Sequence, residues 1–240
     1  MNAISRILPY ETEIIPGHEI SVSEKRTDTG GKMSNIKHIY LIRHARPDFP
    51  GGIRLCLGRK LDLPICEEGG RKAQKTAEYI RKCIGKPVSV VYSSPLLRAL
   101  QTARIIGGKD ARIVTDDEII ELDNGEWDGL SFEEISRRYP DLFESRKDDM
   151  SICPPGGESY HHGADRMKAA LKRLAAADPE ENIVVVAHSS INRGFLCCLI
   201  GLPYKYNRNL PQEYACVSRI DYDPDNDRWT VKEIGHEETV

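Results

Sequence analysis

No stretch of the sequence is apolar for long enough to cross a membrane as a helix. Neither sign of charge prevails: the formal balance is −3 over 240 residues. A near-neutral chain gives no reason to expect nucleic acid as a partner, so any anion site has to be a local feature. No C-x-x-C pair occurs among the seven cysteines, Cys56, Cys66, Cys83, Cys153, Cys197, Cys198 and Cys216. An odd number, scattered and partly within apolar runs, fits a reducing compartment better than a disulfide framework. Internal repeats are missing. A secretory pattern is missing at the start, where Ile7-Leu8-Pro9-Tyr10 is soon followed by Glu11 and Glu13, and a cytoplasmic protein is expected. Metal-ligand sets are missing too. His161-His162 has no further ligand at suitable spacing and reads as a surface pair at a helix start. Asp223-x-Asp225-x-Asp227 lacks the sixth-position Gly and twelfth-position Glu of a calcium loop and reads as a hairpin turn.

What is present is a succession of apolar strands and amphipathic helices. Residues 1–36 are polar, with Gly30-Gly31, and read as an extension. Residues 37–240 read as one domain. Ile39–Ile42 is a buried-strand run that ends abruptly in Arg43-His44-Ala45-Arg46-Pro47. The loop 51–66 follows, then a helix from Glu67-Glu68 to about Cys83, closed by Gly85. Val88–Tyr92 is a second strand. After it, Ser94 reads as the N-cap, and Pro95 as the first position, of a helix to about Ile106. A short strand at Arg112–Thr115 leads into the acidic, Gly-punctuated stretch 118–129. Ser131 and Glu134 form a capping box for a helix through Tyr139. Residues 140–156 read as an irregular connection, and Ser159 precedes a helix to about Ala177. The most hydrophobic strand, Asn182–Ala187, ends in His188-Ser189-Ser190, and a helix runs from about 191 to 200. Val217–Tyr222 and Trp229–Ile234 read as a terminal hairpin. This order predicts a three-layer α/β/α sandwich around a mostly parallel sheet.

One grammar recurs. An apolar strand stops, and a polar residue stands at its tip: Arg43-His44, Ser93-Ser94 with Arg98 close behind, Glu121, and His188. Parallel strands put their carboxyl ends on one edge, so these residues converge on one crevice. Alone, His188 reads as a satisfied core histidine and Glu121 as a solvated loop carboxylate. Together they are a set that can attack a phosphate.

The pattern resembles the histidine phosphatase superfamily, also called phosphoglycerate-mutase-like. The resemblance rests on Leu-Ile-Arg43-His44, Ser93-Ser94-Pro95-Leu96-x-Arg98-Ala99-x-Gln101-Thr102-Ala103, Glu121-x-Asp-x-Gly125-Glu-Trp127-x-Gly129, Pro155-Gly156-Gly157-Glu158-Ser159 and Val185-Val186-Ala187-His188. Gly58-Arg59-x-x-Asp62-x-Pro64 and Glu68-Gly69 also look familial. The match covers about 37 to 222, and the order of the five pieces carries more than any one of them.

The resemblance implies a phosphoglycerate-mutase-like fold and a covalent phosphohistidine mechanism. His44 is then the nucleophile. Arg43, Arg98 and His188, the last if protonated, hold the phosphoryl group, with Arg59 as a further contact. Glu121 is the acid that protonates the leaving alcohol and the base that activates water. No cofactor and no metal are implied, because the guanidinium groups carry the electrostatic work. The expected partner is a small phosphomonoester, with no nucleic acid and no membrane; a homodimer stays open. Among relatives, the small bacterial phosphatases, such as α-ribazole-phosphate phosphatase, are nearest in pattern. A phosphoglycerate-type mutase and a catalytically weak, phosphate-binding regulatory protein are the alternatives. The interval between the two histidines is short for the mutases, which carry a longer insertion. Two departures bear on substrate: Ala45-Arg46-Pro47 stands where the family has Gly-Glu-Thr or Gly-Glu-Ser, and Ser189 stands where it has Gly.

Overall fold

A computed structural model describes residues 35–238. All of the polar extension expected at 1–36 except Asn35 and Ile36 thus lies outside the described residues. Six strands form one sheet: β1 (Lys37–Arg43), β2 (Val90–Ser93), β3 (Arg112–Thr115), β4 (Asn182–Ala187), β5 (Val217–Asp223) and β6 (Arg228–His236). Their order is β3-β2-β4-β1-β5-β6. The first four are parallel, and β5 and β6 add an antiparallel hairpin.

The described residues form six α-helices: α1 (Glu67–Ile84), α2 (Leu97–Gly107), α3 (Phe132–Arg138), α4 (Pro140–Asp148), α5 (Tyr160–Ala177) and α6 (Ser189–Ile200); α1, α2, α5 and α6 cover the sheet. Strand alternation sorts the core into two layers. Tyr40, Ile42, Val184 and Val186 pack with Ala77 and Ile80 of α1 and Ala99, Ala103 and Ile106 of α2. Ile39, Leu41, Ile183, Val185 and Ala187 pack on the other face against Met167 and Leu171 of α5 and Ile191 and Phe195 of α6. Each such side chain, fully buried, contributes roughly 1.5–3 kcal/mol. The three-layer sandwich read from the sequence is the fold observed.

Several local expectations hold. Gly85 closes α1 in the left-handed region at φ 74°. Ser131 and Glu134 make both halves of their capping box. Ser159 caps α5 through the His162 amide. Two expectations fail. Residues 140–148, expected as part of an irregular connection, are helical, because Pro140 occupies the first position of α4, where a missing N–H costs nothing. Ser94 does not cap α2. The helix begins at Leu97, whose amide donates to Asp62 Oδ2 at 2.7 Å. The cap thus comes from the distant loop 51–66, and the Ser94 hydroxyl lies against His188 instead.

Candidate active site

Strand register places the site. In the β1–β4 pair, Arg43 faces Ala187, so the next residues, His44 and His188, emerge side by side at the carboxyl edge. Their ring centroids are 5.0 Å apart. Ser93 of β2 faces Val186, which brings Ser94 to the same tip. The chain after β1 is then pinned. Ala45 N donates to Thr102 Oγ1 at 2.9 Å, and Thr102 Oγ1 donates to the Arg98 carbonyl at 2.7 Å. Gly69 allows the start of α1 to approach: a Cβ there would lie 2.6 Å from the Arg46 carbonyl oxygen.

His44 is buried, and its Nδ1 lies 2.7 Å from the Ala45 carbonyl oxygen. A carbonyl can only accept, so Nδ1 carries the proton. A neutral ring then leaves Nε2 with a bare lone pair. Burial, aided by the charges of Arg98 and Arg43, pushes the His44 imidazole well below its ordinary value of 6.5, against a smaller opposing pull from the Ala45 hydrogen bond. His188 is fully buried and pushed down in the same way by burial and by Arg98, His44 and Arg43. Its Nε2 lies 2.6 Å from Ser94 Oγ. The same hydroxyl accepts from the Leu96 amide; when it donates to Nε2, the ring proton sits on Nδ1. In that tautomer a neutral His188 ring donates through Nδ1 and needs no positive charge to hold a phosphoryl oxygen.

Arg43 and Arg98 supply the cations. Arg43 donates to the Gln212 carbonyl, and its Cζ sits 3.8 Å from the centre of the Tyr214 ring. Arg98 is completely buried; Nη2 donates to the Gly58 carbonyl at 2.8 Å, and Nη1 lies 3.4 Å from Asp62 Oδ1. Burial lowers the pKa of both guanidinium groups, yet arginine stays charged in proteins. Arg43 Nε, Arg98 Nε and His188 Nδ1 are buried without a protein partner. Buried donors of this kind are costly unless something accepts from them. Clustered with two fixed positive charges, they suit an anion with several acceptor oxygens.

Glu121 faces the cluster from the loop after β3. Its Oε2 accepts from Ser190 N at 3.1 Å, and its Oε1 from Ile191 N at 3.0 Å and Leu122 N at 2.9 Å. The carboxyl is thus seated on the first turn of α6, directly after His188. Arg59 is placed elsewhere in the network: its Nε donates to the Glu121 carbonyl at 2.8 Å, and its Nη2 meets Glu158. Arg46, the cation that replaces the family's usual residue, pairs with Glu68 on the exposed start of α1. Sequence reasoning missed Gln212 and Tyr214, which steady Arg43, and no sequence signal marks either. It also missed Arg166, and gave Ser94 a place at the strand tip but no contact with His188. His161 and His162 lie on the exposed first turn of α5, against Asp165 and Glu158.

The two depressed imidazoles make stability pH-dependent. Below about 6.5 the unfolded chain binds protons at positions 44 and 188 that the folded chain refuses, so stability falls as pH drops through that value. Urea melts in phosphate-free buffer should lose midpoint between about pH 7.5 and 5.5, and the double variant His44→Gln/His188→Gln should lose less. An equal loss in both proteins would contradict the assignment.

The histidine phosphatase superfamily (branch 1) model matches residues 39–236. Over 167 residues, 68% of this chain and 76% of the relative, the sequence is 31% identical to phosphoserine phosphatase 1 of Hydrogenobacter thermophilus. It is 32% identical to phosphoglycerate mutase-like protein 4 of Arabidopsis thaliana over 73% of this chain and 75% of that one. The structure of mycobacterial glucosyl-3-phosphoglycerate phosphatase superposes with a TM-score of 0.72 at 25% identity, over 84% of this chain and all of that one. With the family's order of strand-tip residues gathered at one edge, and its model matched from β1 to β6, this chain belongs to the histidine phosphatase superfamily.

Proposed function

We propose that the protein is a metal-independent phosphatase that hydrolyses a small phosphorylated metabolite through a phosphohistidine at His44. The observation that carries this reading is the bare Nε2 of His44, fixed by the Nδ1 hydrogen bond to Ala45 and flanked by Arg43 and Arg98. Nε2 forms a bond to phosphorus as the ester P–O bond breaks. Positive charge that develops on the ring is stabilised at Nδ1 by the Ala45 carbonyl. Arg43, Arg98 and His188 Nδ1 hold the phosphoryl oxygens, doing the charge work that a metal does elsewhere. Glu121 gives its proton to the departing alkoxide. It then takes a proton from water as the new P–O bond forms and the P–N bond breaks, releasing inorganic phosphate. Two of the relatives are named as phosphatases of phosphoserine and of glucosyl-3-phosphoglycerate, which supports a small phosphomonoester as substrate.

Rapid quenching during turnover of radiolabelled phosphomonoester should leave acid-labile, base-stable phosphate on the peptide containing His44. Absence of the label under single-turnover conditions would overturn the reading. Label that passes to a sugar or glycerate acceptor in preference to water would convert it to a mutase.

A further inference from the structure

Two stretches of the sequence have no part in the chemistry above: Asp123-x-Gly125, just after Glu121, and Pro155-Gly156-Gly157-Glu158-Ser159. The structure presses them together. A Cβ at Gly125 would lie 2.0 Å from the Pro155 carbonyl oxygen, and one at Gly157 would lie 2.8 Å from that of Asp123. Only glycine permits either approach. The contact is sealed by Glu126 N to the Pro155 carbonyl at 3.0 Å and Glu158 N to the Asp123 carbonyl at 2.8 Å. Its result is to bring the Glu158 carboxylate beneath the segment that carries Glu121.

There Glu158 joins two arginines from distant parts of the chain. Arg166 of α5 donates Nε to Oε1 at 2.8 Å and Nη2 to Oε2 at 2.9 Å. Arg59, from the loop after β1, donates Nη2 to Oε2. Both arginines also reach the Glu121 carbonyl oxygen, Arg59 Nε at 2.8 Å and Arg166 Nη2 at 3.2 Å. Arg166 Nη1 holds the Glu118 carbonyl at 2.5 Å. Burial pushes the Glu158 carboxyl up, but the hydrogen bonds and charge of Arg166, with the charge of Arg59, outweigh it and hold the group below the usual carboxylate range.

We infer that Glu158, through Arg59 and Arg166, is a positioning residue that fixes the main chain of Glu121 and so sets the reach of its carboxyl to the leaving-group oxygen. The inference rests on the acid role given to Glu121 above. The Glu121 side chain is seated on the α6 amides, and its carbonyl is clamped by the two guanidinium groups. Loosening the clamp lets the segment drift while the phosphate site of Arg43, Arg98 and His188 keeps its own supports.

The test compares kcat/KM for an alkyl phosphate and for 4-nitrophenyl phosphate, because this ratio reports only steps through phosphoenzyme formation. A nitrophenolate leaves without help, whereas an alkoxide needs the proton. Glu121→Gln should lower the alkyl value by roughly 10²–10⁴-fold more than the nitrophenyl value. Glu158→Gln should shift the same ratio in the same direction by roughly 10- to 100-fold. The double variant should lose no more than Glu121→Gln alone. Should Glu158→Gln fail to fold, Arg166→Gln carries the same measurement. A Glu158→Gln enzyme that loses both esters equally, or that adds fully to Glu121→Gln, overturns the positioning role. If Glu121→Gln itself loses both equally, the acid assignment falls first.

Discussion

Alanine in place of His44 should abolish phosphomonoester turnover and leave the fold standing. Deleting an attacking side chain costs on the order of 10⁶ in kcat in other enzymes that use a covalent intermediate. Here no substitute is at hand: the neighbouring imidazole, His188, has its Nε2 engaged by the Ser94 hydroxyl at 2.6 Å. The structural cost is small by comparison. The Ala45 carbonyl loses its donor, worth about 1–3 kcal/mol for a buried group, against a domain stability of roughly 5–15 kcal/mol. Removing a buried imidazole that refuses protons also relieves part of the acid sensitivity. The measurements are initial rates with 4-nitrophenyl phosphate and a urea melt of the same sample. A folded His44→Ala protein that keeps the wild-type rate would place the nucleophile elsewhere.

The strand tips were legible because their signal is local. Ile39–Ile42 and Asn182–Ala187 are apolar runs that end in charge or imidazole, and the β1–β4 register then sets His44 beside His188 without further help from the sequence. Arg98 was legible for the same reason, lying one turn beyond a strand end. What escaped depends on contacts between distant residues. The amide that starts α2 is capped by Asp62, thirty-five positions earlier. Arg43 leans on Gln212 and Tyr214, which belong to a loop with no strand or helix pattern of its own. The Pro140 helix escaped because proline closes some helices and opens others, and only the backbone decides. Arg59 shows the limit from the other side. A cation beside a phosphate site invites a direct contact, yet its guanidinium is committed to Glu158 and the Glu121 carbonyl.

Arg98→Ala should cost roughly 10³–10⁵-fold in kcat/KM, the range found when a positioned guanidinium is removed from a phosphoryl-transfer site. Three effects add. The transferring group loses a fixed, fully buried positive charge. The loop that carries Gly58 and Asp62 loses its anchor, and the Gly58 carbonyl is left without its donor, at about 1–3 kcal/mol of stability. The third effect acts on the nucleophile. Arg98 is the leading charge that holds both His44 and His188 down, so its removal lets the imidazoles protonate at higher pH. A protonated Nε2 cannot attack. The acid limb of kcat/KM should therefore move toward neutral pH in Arg98→Ala. Arg98→Lys separates the effects. It restores a charge near the imidazoles, so the acid limb should return toward its wild-type position. A single ammonium cannot reproduce the fork that spans Gly58, Asp62 and a phosphoryl oxygen, so most of the rate stays lost. An Arg98→Lys enzyme with wild-type kcat/KM, or an Arg98→Ala enzyme whose acid limb has not moved, would remove Arg98 from the account of how His44 is kept neutral and ready to attack.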